Sequence, residues 1–129
     1  MAIRIVRLGE ARSRGEGVRL GTVRRPPRGV PKERFASEDW YDTWLPNLAP
    51  SAELMQWVHT AEPSEANWRR FVQRFRSEMK APEAVHVIAA LALLSHQANF
   101  SLGCYCVEES RCHRSVLRDL LSEASAEIR

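Results

Sequence analysis

Strand-like segments stand at the two ends of this sequence with helical ones between them, and that order restricts the fold more than any other feature. Ile3, Ile5 and Leu8 alternate with Arg4 and Arg7, the period-two pattern of a half-buried strand. After a polar, glycine-bearing loop from Gly9 to Gly17, Val18 to Val23 reads as a second short strand. It runs into Arg24-Arg25-Pro26-Pro27-Arg28-Gly29, where two prolines cannot continue a ladder and the chain must turn. Phe100 to Cys106, short and bounded by polar residues, reads as a buried strand far along the chain.

The segments between carry helical spacing. Ser37 is expected to cap a short helix holding Trp40 and Trp44 and ending near Pro46. Ser51 is an N-cap for a second helix with Leu54, Trp57 and Val58 on one face. Pro63-Ser64 opens a third, whose stripe of Trp68, Phe71, Val72, Phe75 and Met79 is core, with Arg69, Arg70, Arg74 and Arg76 around the rest. Pro82 suits the first position of a nearly all-apolar helix running through His96, expected to be buried on most sides. His86 and His96 on it read as structural histidines. After a loop from Val107 to Arg111, a last helix starts near Cys112 and places Val116, Leu117, Leu120, Leu121, Ala124 and Ile128 on one face. Strands first and last, with helices between and after, predict a single α/β domain over residues 1–129. It should hold a short, mainly parallel sheet with helices packed around it.

Composition supports one folded domain. The chain of 129 residues is 44% hydrophobic and 27% charged, which excludes a disordered or fibrous class. No signal peptide is legible, and the apolar run from Val85 to Leu94 is far short of the roughly 20 residues a membrane span needs. A cytoplasmic protein with reduced thiols is expected, since three cysteines, Cys104, Cys106 and Cys112, make no disulfide framework. Charge is uneven: residues 1–34 hold ten Lys and Arg against three acids, the remainder nine against thirteen. A basic first quarter can attract phosphates, so a nucleic-acid-binding or protein-binding module is the rival function class, although no aromatic interleaving supports base stacking.

Chemistry concentrates between Cys104 and Ser115, which hold all three thiols, His113, Arg111 and Arg114. Cys104 and Cys106, two apart on a strand, project to one face. Cys112 and His113 fall at a helix start, where free amides and the dipole favour an anion and can lower a thiol pKa. The leading reading is a pocket for a phosphorylated or carboxylate small molecule at the strand–helix junction. Cys112 supplies the thiol there and His113 carries the proton. Arg114 and Ser115 hold the anion, Arg24 and Arg28 close the pocket from the end of the second strand, and Cys106 stands at the strand's end.

Three other readings stand beside it. Cys104-x-Cys106-x5-Cys112-His113 has the inventory for tetrahedral zinc, but the paired spacing is too short for a knuckle, and adjacent residues diverge by about 100° around a helix. Cys112 to Arg118 spells C-x5-R, as in phosphate-wrapping loops, but lacks the glycines such loops use. Cysteines also pack as small hydrophobes, which suits Cys104. No cofactor and no metal is assigned.

Pro27-Arg28-Gly29-Val30, Leu48-Ala49-Pro50-Ser51 with Glu53, Leu54 and Trp57, and Cys106-Val107-Glu108 with Cys112-His113-Arg114-Ser115 resemble the YeaO-like family of unknown function. Trp68, Phe71, Phe75 and Glu78 fit the same pattern. The resemblance spans nearly the whole chain and implies a small α/β fold with a site at the Cys-His-Arg motif. Those proteins commonly read Val-Asp-Arg-Leu-Trp before Pro-Arg-Gly. Here Thr22, Val23, Arg24, Arg25 and Pro26 occupy those places, without the acid or the tryptophan.

Overall fold

The computed structural model describes all 129 residues. Four strands, β1 (Ile3–Arg7), β2 (Val18–Gly21), β3 (Thr43–Trp44) and β4 (Phe100–Cys104), form one sheet in the order β1-β4-β2-β3. Every pairing is parallel, with Ile5, Leu102 and Leu20 side by side in register. Four helices accompany it: α1 (Ala52–Thr60), α2 (Glu65–Glu78), α3 (Pro82–Leu94) and α4 (His113–Glu123). The expected α/β architecture is the one observed.

β4 sits between β1 and β2, and all five of its residues are buried. A strand covered on both faces is buried throughout, and its one polar side chain, Ser101, is satisfied by donating to the Glu16 carboxylate at 2.7 Å. On one face Ile3, Phe100 and Leu102 join the main core with Leu54 of α1, Phe71 and Phe75 of α2, Ile88 of α3, and Val116, Leu117 and Leu121 of α4. On the other, irregular chain covers the sheet. Leu8, Val23 and Tyr41 form a second, smaller core with Cys104 and Cys112 against Phe35, Trp40 and Tyr105. Gly21 and Gly103 lie side by side in register, and a Cβ on either would collide with Tyr41 or Leu8. The missing side chains let that second core rest directly on the sheet.

Ser51 and Ser64 cap α1 and α2 by accepting hydrogen bonds from the amides of Leu54 and Asn67, and Pro82 opens α3. Each was expected from local sequence. Three expectations of helix extent fail. No helix forms over Ser37 to Pro46. The Ser37 hydroxyl bonds back to the Arg34 carbonyl, Asp39 takes a left-handed φ of 62°, and Thr43–Trp44 becomes the edge strand β3. Arg12 draws this segment in by pairing with Asp39 at 3.1 Å and Asp42 at 2.7 Å, and Trp44 donates its indole N–H to the Val23 carbonyl at 2.7 Å. α3 ends at Leu94 and is buried only along Ala84, Ile88, Leu91 and Ala92, so Val85, Leu93 and Leu94 are exposed. α4 stops at Glu123, and Ile128 pairs with Ile3 along the outer edge of β1 instead of extending the helix face. No helix is long and apolar enough to cross a membrane.

Candidate functional site

In a parallel sheet the carboxyl ends of all strands lie on one side, and ligands bind in the crevice there. Here β2 and β4 are neighbours, and the residues leaving their carboxyl ends, Val23, Arg24 and Arg25 on one side and Cys104 and Tyr105 on the other, line a cleft of about 450 Å³. α1 supplies the facing wall with Ala52, Met55, Gln56 and His59, and His113 reaches the cleft from the start of α4. Two arginines and two histidines line it and no acid does, so its field suits an anion.

Beyond Cys104 the chain leaves the sheet, passes Cys106, makes one 3₁₀ turn over Glu109–Arg111 and enters α4. Arg118 of α4 grips Glu109 with bonds of 2.6 and 3.0 Å, which fixes this loop against the helix. That ion pair also occupies the arginine of the C-x5-R pattern, and the residues between are helical, so no phosphate-wrapping loop exists.

Cys112 is the N-cap of α4, with extended φ −118° and ψ 152°. Standing outside the helix, it does not diverge from His113 as two helical neighbours would. Its Sγ lies 3.7 Å from His113 Nδ1. The opposite ring nitrogen, Nε2, lies 2.6 Å from the Thr22 carbonyl oxygen, which can only accept, so Nε2 carries a proton and Nδ1 is turned toward Cys112. Phe75 packs edge-on against the ring and holds its plane. Cys106, just beyond the strand, turns its Sγ to within 3.8 Å of Cys104 Sγ. All three sulfurs lie within 4.8 Å of one another, with Cys104 and Cys112 buried and Cys106 exposed.

Three thiols this close cannot all ionise, and the charge settles on Cys112. Hydrogen bonds from Cys104 and Cys106 lower its pKa, burial opposes them, and His113 adds to the lowering. Cys104, which supplies bonds to both other sulfurs and is buried, is pushed up. Cys106 is lowered by its bond from Cys104, but its bond to Cys112, its partial burial and the Cys112 charge outweigh that and raise it. The charge of Arg114 partly offsets the rise.

The expected anion-binding residues do not gather. Arg24 lines the cleft, yet its guanidinium is held by the carbonyls of Pro50 at 2.9 Å and Ala49 at 3.1 Å, within the Leu-Ala-Pro-Ser block. Arg28 is exposed and lies outside the lining. The Ser115 hydroxyl donates to the Cys112 carbonyl. Arg114 is buried at 3% exposure, donates to the Cys106 carbonyl at 2.7 Å, and leaves its Nε without a partner. Of the two expected structural histidines, His96 bonds the Ser125 carbonyl at 2.8 Å and His86 is exposed on α3.

Residues not foreseen take their places: Arg25, His59, Gln56 and Tyr105 in the lining, and Thr22 as the group orienting His113. Their one sequence signal was that Met55, Gln56 and His59 fall off the apolar stripe of α1, on a face nothing else claimed. Comparison with known proteins finds no curated protein and no solved structure that matches the chain. One family does match, over residues 3–125, and its description is the active DUF488-N3 subclade. The match covers nearly every residue, including both sides of the cleft and all three cysteines, so the chain belongs to the DUF488-N3a family.

Proposed function

We propose that this is a cytoplasmic, thiol-dependent protein that binds a small phosphorylated or carboxylate compound in the cleft and works on it at Cys112 and His113. The observation that carries the reading is one juxtaposition. An acid-free cleft with Arg24, Arg25 and His59 on its walls is floored by His113, whose Nδ1 lies 3.7 Å from Cys112 Sγ. Arg25, exposed and without a carboxylate partner, is the cation free to meet the anion. Arg24 sets the wall through its carbonyl bonds. His113 is the proton carrier, facing Cys112 with one nitrogen and tied to Thr22 by the other.

Cys112 holds the negative charge but is buried. Cys106 Sγ, exposed and within 4.8 Å, gives that charge a route to solvent: a proton passing from Cys106 to Cys112 leaves the thiolate on the exposed sulfur. Such a cluster lets a buried thiolate and an exposed one exchange a proton. The word active in the family's description agrees with a working site. Kinship with YeaO-like proteins, suggested by the Pro27 to Val30, Leu48 to Ser51 and Cys112 to Arg114 motifs, belongs to the same reading.

Alkylation of each cysteine against pH, mapped by peptide mass on the metal-free, reduced chain, tests it. Cys112 should label at a rate nearly independent of pH between about 6 and 8, with Cys104 far slower. Inorganic phosphate should slow that labelling, and Arg25→Ala should remove the phosphate effect. Uniform protection of all three thiols until the chain unfolds would make the cluster a packing device and end the proposal.

A further inference from the structure

We infer that Cys104, Cys106 and Cys112 form a three-sulfur binding site for a divalent metal ion of the zinc class, with His113 Nδ1 beside Cys112 as the neighbouring nitrogen. The sequence argued against such a site on two grounds, short Cys-x-Cys spacing and the divergence of Cys112 from His113. The backbone removes both. β4 ends at Cys104, so Cys106 lies in the loop and can turn back, and Cys112 stands outside α4.

The distances fit the ion. Tetrahedral zinc, with Zn–S near 2.3 Å, sets neighbouring sulfurs about 3.8 Å apart. With Zn–N of about 2.0 to 2.1 Å, it sets sulfur and nitrogen about 3.6 Å apart. Cys104 and Cys106 are 3.8 Å apart, and Cys112 Sγ is 3.7 Å from His113 Nδ1. The remaining sulfur separations stay within 4.8 Å, so small rotations of the side chains bring the three sulfurs around one ion.

Packing does not account for the arrangement. A cysteine serving as a small hydrophobe is buried, and Cys106 is exposed while its sulfur points back to the other two. His113 already has the support metal-ligating histidines show, its far nitrogen donating to a backbone carbonyl, which turns Nδ1 toward Cys112. Arg114 supplies a second, independent observation. It is a buried cation beside Cys106 with no carboxylate in ion-pair distance and an unpartnered Nε. A buried charge requires a counter-charge. Three thiolates around a divalent ion carry one net negative charge, the complement of a single arginine. A monovalent ion would leave two, with one cation to meet them.

This inference is independent of the proposed thiol chemistry, and the two occupancies exclude each other at Cys112. A loaded site shields the thiols, and its removal exposes them. Labelling of the metal-free chain tests the first reading and metal binding tests this one, so either can fail alone.

The experiment is titration of the full-length, metal-free chain, kept reduced by a phosphine, with Co²⁺ and then Zn²⁺. Expected are the visible bands of tetrahedral Co²⁺ with an ultraviolet sulfur charge-transfer band, saturating at one ion per chain and bleached by Zn²⁺. Cys106→Ser, at an exposed position the fold does not need, should weaken Co²⁺ binding by at least about tenfold. His86→Ala, on the exposed face of α3, should leave it unchanged. A spectrum of six-coordinate Co²⁺ only, or Cys106→Ser binding with unaltered affinity, overturns the assignment.

Discussion

Two arginines are buried in this chain, and only one of them is fully answered. Arg19, 1% exposed, meets Glu16 at 2.6 Å and gives its other donors to the carbonyls of Glu10, Ala11 and Asp39, while Ser101 and the Ser13 amide bond the Glu16 carboxylate. Arg114 has one carbonyl and no acid. Breaking a buried pair strands its partner's charge, so Arg19→Met should lower stability by about 3–5 kcal/mol in urea denaturation. Arg114→Met strands nothing but the Cys106 carbonyl and should cost no more than about 1–2 kcal/mol. Its effect should show in the thiols instead. The Arg114 charge lowers the Cys106 pKa, so removing it raises that pKa further and should slow Cys106 alkylation at neutral pH. Equal stability losses in the two variants, with Cys106 labelling unchanged, would mean that Arg114 is an ordinary packing residue.

At the scale of elements, the most exacting junction is the start of α1. Ser51 Oγ accepts from the Leu54 amide at 3.1 Å, and both its hydroxyl and its amide donate to Glu78 of α2, at 2.5 and 2.8 Å. One serine therefore caps one helix and clasps the next. Ser51→Ala should cost about 1–2 kcal/mol, read as a lower thermal midpoint, and Glu78→Gln should recover part of the clasp. The cap was legible because capping is local, as were the apolar stripes of α2 and α4 and the proline that opens α3. The clasp by Glu78 was not, because it depends on how two helices meet. Trp40 and Trp44 show the same limit from the other side. Their spacing fits a helix, but Arg12 and the Val23 carbonyl, distant in sequence, hold them in a turn and an edge strand. The site divides likewise. Its place at the β4–α4 junction followed from strand, loop and helix order. The convergence of Cys106 on Cys104, and the contribution of α1 to the cleft, follow from a loop path and a packing angle that local spacing does not encode.

For the whole molecule, half of the basic first quarter is answered from within. Arg12 pairs with Asp39 and Asp42, Arg19 with Glu16 and Arg34 with Glu38, while Arg24 spends itself on carbonyls. Arg12 and Arg19, two of those charges, thus bind the sheet's second face together, and that makes folding sensitive to acid. Burial alone would raise the Glu16 carboxyl. The bonds from Arg19, Ser101 and the Ser13 amide, with the charge of Arg19, reverse this and hold it at about 2 against an ordinary 4.5. Asp42 is also lowered: burial works against it, and its bonds from Arg12 and the Arg19 amide prevail. A carboxyl depressed in the folded state contributes stability that is complete above its unfolded pKa and disappears as pH falls through the folded one. Glu16 should therefore support the fold by about 3 kcal/mol at neutral pH and lose that support between about pH 4.5 and 2. Glu16→Gln provides the control. It leaves Arg19 without a counter-charge at every pH, so its stability should lie below wild type at neutral pH and fall less steeply in acid. The two curves should converge toward pH 2, where Glu16 is half protonated and nearly all of its support is gone. Urea midpoints measured from about pH 7 to 2 decide it. Parallel curves would place the acid sensitivity elsewhere, and a wild-type curve flat through pH 3 would mean that the Glu16–Arg19 pair does not hold the second face to the sheet.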